Sequence, residues 1–172
     1  MALNIEIKAK ARDFSRLKLL AERLSDTTGE LLFQEDTFFR SSIGRLKLRV
    51  SAADRGELIH YERDDSRRPR QSTYHISKTK DPASLKAVLS SALEIQGVVR
   101  KRRLLFTVGQ ARIHLDEVKG LGQFVELEFV MQPNQNSEHG TAVLRDLMKK
   151  LEINDEDLIA EAYVDLLSSS IV

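Results

Sequence analysis

With 172 residues, 41% of them hydrophobic and 31% charged, the chain has the size and composition of one domain, 1–172, with its own core, and it excludes a disordered polyelectrolyte. Its 27 lysines and arginines against 26 aspartates and glutamates leave a net charge of +1, so no global field draws it to DNA or to an anionic membrane. The lack of cysteine removes disulfides, thiolate metal sites and a thiol nucleophile, no apolar run reaches the ~20 residues of a membrane span, and the N-terminus lacks the order of a signal peptide, so a cytoplasmic protein is expected.

Residues 2–11 alternate Asn4, Glu6, Lys8 and Lys10 against Leu3, Ile5, Ile7 and Ala9, the period of a strand with one apolar side. Behind Asp13, a plausible N-cap, Phe14, Leu17, Leu20, Ala21 and Leu24 recur at helical spacing. Strand-like stretches follow at 31–40, 45–51, 56–63 and 71–78, divided by short turns and by the polar loop DDSRRPRQS at 64–72. Asp81-Pro82 opens a second helix through about Leu93. Strands resume at 97–108, 111–117 and 123–132, separated by turns bearing Gly109 and Gly120 to Gly122. Ser137–Leu151 and Asp155–Leu167 read as two terminal helices. The total is about eight strands joined mostly by short turns, a pattern that favours antiparallel pairing and can close on itself as a barrel.

Two of these strands carry charge on one side only. RLKLRV aligns Arg45, Lys47 and Arg49, and FVELEF aligns Glu126 and Glu128. On one reading these faces are simply wet, with the apolar faces under the helices. That reading leaves like charges about 6.6 Å apart along a strand without partners. On the other, the strands curl so that the charged faces look inward at one another. Lys101 and Arg103 then add cations, and Glu6 and Asp116 add anions. Dehydrated rows of opposite sign need counter-charges, and a triphosphate with magnesium or manganese supplies both: arginine forks suit phosphate oxygens, and carboxylates suit hard cations.

The segments NIEIKAK, QEDTFF, GRLKLR, LIHYER, VVRKRR and RIHLDEVKGLGQFVELE, in this order, resemble the CYTH superfamily of triphosphate tunnel metalloenzymes, which includes class IV adenylyl cyclases and thiamine and inorganic triphosphatases. The resemblance implies an α+β fold: a closed eight-stranded antiparallel tunnel with helices packed outside. It makes Lys8, Arg45, Lys47, Arg49, Lys101 and Arg103 phosphate-binding residues, with Arg63 and Arg70 as further candidates. It makes Glu6, Asp116, Glu126 and Glu128 ligands of Mg2+ or Mn2+. The expected catalytic set is Glu6, Lys8, Glu126 and Glu128. In the family signature ExExK the first glutamate is replaced here by Asn4, which offers an amide oxygen but no charge.

The function expected on this basis is metal-dependent hydrolysis of an inorganic or organic triphosphate. The alternatives are cyclisation of ATP to cyclic AMP and pyrophosphate, and a non-catalytic polyphosphate- or nucleotide-binding module. The partner is a triphosphate-containing small molecule, with no DNA, no membrane, and a monomer or homodimer as the working unit. Alternation leaves open whether Tyr61 and Arg63 or His60 and Glu62 face inward, and Glu62 and Asp36 stand as candidate general bases. His114 shares the parity of Arg112 and Asp116, although an ordinary sheet histidine is the commoner role. GxxxxGK is absent, which argues against a P-loop enzyme, and Gly120-Leu121-Gly122 reads as turn geometry.

Overall fold

The computed structural model describes residues 2–169. The elements in chain order are β1 (Ala2–Lys10), α1 (Phe14–Leu24), β2 (Glu30–Phe39), β3 (Arg45–Ala52), β4 (Arg55–Arg63), β5 (Arg70–Thr79), α2 (Pro82–Ala92), β6 (Ile95–Val108), β7 (Ala111–Val118), β8 (Gly122–Val130), α3 (Ser137–Lys150), a single 3-10 turn (Asp155–Asp157) and α4 (Tyr163–Ser169). The eight strands close into an antiparallel barrel in the order β1-β5-β4-β3-β2-β6-β7-β8, with β8 returning to β1. Tight links make most of these neighbours sequential. Gly109, at a φ of 56°, takes the left-handed conformation that the reversal between β6 and β7 requires.

The barrel is inside out relative to an ordinary core. Its apolar side faces outward: Ile5, Ile7 and Ala9 of β1, Ile113 and Leu115 of β7, and Val125, Leu127 and Phe129 of β8 are buried beneath Leu17 and Ala21 of α1 and Leu144, Leu147 and Met148 of α3. Burying each such side chain stabilises the fold by roughly 1.5–3 kcal/mol. The helix starts follow from local chemistry. Asp13 accepts a hydrogen bond from the Arg16 amide, Asp81 accepts from the Ser84 amide ahead of Pro82, and Asn136 accepts from the Glu138 amide.

A second apolar cluster lies at one end of the barrel, where Phe38, Val99, Val118 and Phe124 meet Ile159, Ala162, Tyr163 and Val164. Here the expectation of a helix over 155–167 is corrected. The segment is a 3-10 turn, then an extended stretch, then α4. The extended stretch is tied to the end of β1: Leu158 bridges Ala9, and the Ile159 amide donates to the Lys8 carbonyl at 2.9 Å. Pairing with a strand terminus outweighs helical periodicity at these positions. Among the described residues no helix is long and apolar enough to cross a membrane.

Candidate active site

Because alternate residues of a strand point to opposite faces, the outward apolar set fixes the inward one. Asn4, Glu6 and Lys8 of β1, Lys47 and Arg49 of β3, Lys101 and Arg103 of β6, His114 of β7, and Glu126 and Glu128 of β8 all line one cavity of about 440 Å3 inside the barrel. Tyr61 and Arg63 line it as well, whereas Glu62 is exposed on the outer side, which removes Glu62 as a general-base candidate. Asp36 faces inward and is buried.

Oppositely charged rows neutralise one another across the cavity. Asp36 takes a two-pronged contact from Arg49 at 2.8 and 2.7 Å and one from Lys47 at 3.1 Å. Asp116 is held by Arg103 at 2.6 and 2.7 Å and by the Tyr163 hydroxyl at 2.9 Å. The Lys101 ammonium bridges the two groups, 3.9 Å from Asp36 and 4.0 Å from Asp116. Glu6 accepts from Arg63 at 2.5 Å and Arg70 at 3.1 Å. Glu126 lies 3.6 Å from Arg103 and 3.7 Å from His114, and Glu128 pairs with Arg112 at 3.3 Å.

Burial sets the titration of these groups. It draws the Lys101 ammonium down from 10.5 to about 7, with Arg103 adding to the shift and Asp116 and Asp36 opposing it. It draws Lys8 down to about 8 against the pull of Glu126. Burial also pushes the Asp36 carboxyl up, but Arg49, Lys47 and Lys101 more than offset this and hold it well below the usual carboxylate range. Glu126 is held low in the same way, by Arg103, His114 and Lys8 against burial.

Two expected contacts take other partners. Arg45 is clasped by Asp165 of α4 at 3.1 and 2.7 Å and is not on the cavity wall. Asp116 is 0% exposed and both its oxygens are engaged, so it serves Arg103 and Tyr163 rather than the cavity surface. Tyr163 itself has no sequence signal, because its place is set by the tertiary course of the C-terminal segment. Its ring lies 4.1 Å beneath the Lys8 ammonium.

This arrangement of inward charge over the whole barrel coincides with the CYTH domain family, whose profile matches residues 2–163. The chain belongs to the CYTH family. Among its relatives, a Methanocaldococcus jannaschii protein described as a putative adenylate cyclase is 22% identical over 172 residues, covering 95% of this chain and 98% of its own. The PH1012 protein of Pyrococcus horikoshii superposes with a TM-score of 0.84 at 24% identity, covering 95% of this chain and 99% of that one. A Hippeastrum protein of the cyclase description, said to reveal a dominant triphosphatase activity, superposes with a TM-score of 0.69 at 16% identity, covering 99% and 96%. The structural likenesses carry the fold.

The CYTH tunnel implies a divalent metal, and the residues present accommodate one of a particular kind. Among the described residues no three acidic or histidine side chains are gathered as a ready metal cage. Glu6 and Glu128 are directly paired across β1 and β8, with Glu126 two residues along. Hard carboxylate oxygens on one wall are of the type a hard divalent cation takes, and this chain would offer it one or two of them. Asn4 replaces charge at the next position. Its amide donates to Glu128, so this carboxylate is partly satisfied without a cation.

Proposed function

We infer that this protein hydrolyses a triphosphate bound inside the barrel with a divalent cation. The observation that carries the reading is a set of buried guanidinium hydrogens with no acceptor: Nε and Nη2 of Arg63 and Nη2 of Arg70. Leaving such donors dehydrated is costly unless an anion joins them. The cavity that Arg63 lines has room for that anion and the charge to want it, since eight lysines and arginines on its wall face five carboxylates. A polyanion with several oxygens matches such a surplus; a single carboxylate does not.

In this reading Lys47, Arg49, Arg63, Lys101 and Arg103 hold the phosphate chain and spread its negative charge, which is the principal protein contribution to phosphoryl transfer. Glu6, Glu126 and Glu128 would hold the cation, which when bound neutralises charge developing on the phosphate oxygens. Lys8, over the Tyr163 ring and opposite Glu126 in register, would meet the terminal phosphate. Glu126, kept ionised, is positioned to orient a water toward phosphorus. Hydrolysis asks only for a held phosphate and a water, whereas cyclisation also needs the 3'-hydroxyl of a ribose set against the α-phosphorus.

The deciding experiment incubates the purified protein with tripolyphosphate or ATP, with and without magnesium or manganese, and scores phosphate, pyrophosphate and cyclic AMP. Metal-dependent release of orthophosphate is expected, and Glu126→Gln should lower it by about a hundredfold or more while leaving the thermal transition in place. Pyrophosphate with cyclic AMP would replace hydrolysis by cyclisation. Tight binding without turnover would make the protein a binding module, and unchanged activity in Glu126→Gln would remove Glu126 from the site.

A further inference from the structure

The helices leave part of the barrel's outer wall bare. α1 and α3 cover the apolar faces of β7, β8 and β1, and α2 reaches β2 through Lys86, which donates to Glu35 at 2.7 Å. Between these helices an open groove of about 680 Å3 crosses the outer face, with Phe33, Val50, Arg100, Arg102 and Glu117 on its wall. Its middle is the pair of β2 and β6. Leu32, Gln34 and Asp36 line the inner cavity, so Leu31, Phe33 and Glu35 point outward. Leu31 and Phe33 are 43% and 64% exposed, two large apolar side chains next to one another on one face of a strand.

The strand register makes this face complementary to itself. Opposite Leu31, Phe33 and Glu35 stand Leu104, Arg102 and Arg100 of β6. Rotation by half a turn about a line running along the strands, midway between β2 and β6, exchanges the two columns and keeps each row at its height. A second copy laid face to face in this way sets Leu31 against Leu104, Phe33 against Arg102 and Glu35 against Arg100, in both directions at once. No like charges meet in these rows. The first is apolar on apolar, the second a guanidinium over an aromatic ring, and the third a pair of opposite charges. Both guanidiniums have surface left for this: Arg100 and Arg102 remain 56% and 55% exposed while paired with Glu35 and Glu117 of their own chain. A polyanion such as nucleic acid fits the groove poorly, because it would meet those same two carboxylates.

We propose that this face binds a second copy of the chain as a two-fold dimer whose axis runs along the strands between β2 and β6. The inference is independent of what the inner cavity holds. In such an isologous contact every complementary pair occurs twice, so a modest patch is used in full. The three rows span about 13 Å along the strands, and the five strands that border the groove span about 19 Å across them. That patch falls short of the roughly 800 Å2 per partner of a standard interface, and its ion pairs are surface ones, so the dimer is weak and depends on concentration.

The test is sedimentation velocity on the full chain from about 1 to about 200 µM. The wild type is expected to pass from monomer to dimer within that range. Phe33→Lys, which sets a cation over Arg102 of the other copy, should weaken the dimer by at least about tenfold. Glu35→Lys and Arg100→Glu should each do so alone, because like charges then face one another twice across the axis. An equimolar mixture of those two variants should regain the dimer, since the altered positions then meet with opposite sign. A defect within one chain's fold cannot produce that recovery. A wild type that stays monomeric throughout would overturn the proposal, and so would a dimer indifferent to Phe33→Lys. A mixture that stays monomeric while both variants keep the wild-type thermal transition would overturn it as well. If either charge reversal fails to fold, the wild type beside Phe33→Lys decides alone.

Discussion

The Lys101 ammonium lies between Asp36 and Asp116 without reaching normal hydrogen-bond distance of either. Burial brings it to about 7 and Lys8 to about 8, both from 10.5. Each cation is therefore lost as pH rises through that window, and affinity for tripolyphosphate should fall by roughly tenfold or more between about pH 7 and about pH 9. Stability of the free protein should move the other way. Unfolded lysines keep their protons up to the ordinary value of 10.5, so over that range the unfolded chain binds more protons and stability rises with pH. Binding titrations and thermal denaturation at several pH values check both signs, and an affinity flat over that range would contradict the placement of the two lysines. The inward positions of Lys47, Arg49, Glu126 and Glu128 were legible because alternation against an apolar face fixes parity. The ambiguity at residues 60–63 was real at the sequence level, since both parities there mix polar and apolar side chains. Tertiary closure decides it by turning Tyr61 and Arg63 inward.

Among the elements, the strands and first three helices could be read in outline from period and caps, to within a few residues. The C-terminal segment could not. Its helical spacing over 155–167 is overridden by pairing with the end of β1 and by the seat that Gly97 leaves for Val164, neither of which is a local property. α3 makes a related point about packing. Gly140 is the fourth residue of α3, and inside a helix alanine is intrinsically better than glycine by about 1 kcal/mol. A Cβ there would meet Phe129 Cδ1 at 2.9 Å and Ile5 Cγ1 at 3.0 Å. Overpacking of this kind costs roughly 1–3 kcal/mol, so Gly140→Ala should give a net loss of stability in chemical denaturation. A net gain would mean that α3 lifts freely from β1 and β8.

At the scale of the whole molecule, a net charge of +1 conceals strong segregation. Closing eight strands with their apolar faces outward brings rows of opposite sign into one cavity, where they satisfy most of one another's needs and leave the arginine donors on which the proposed anion site rests. The family resemblance was carried by the order of motifs along the chain, so the fold could be anticipated. The commitment of Arg45 to Asp165 and of Asp116 to Tyr163 could not, because both depend on where the chain returns after its last strand. The barrel also makes ligand binding and stability one quantity: saturation at a hundred times Kd should add about 2.7 kcal/mol to the folded state. The most direct test is calorimetric titration of tripolyphosphate into the wild-type protein, with and without magnesium, beside Arg63→Ala. The account predicts one molecule bound per chain, tighter with magnesium and at least about tenfold weaker in Arg63→Ala. No binding, or binding indifferent to that substitution, would contradict an anion site inside the barrel.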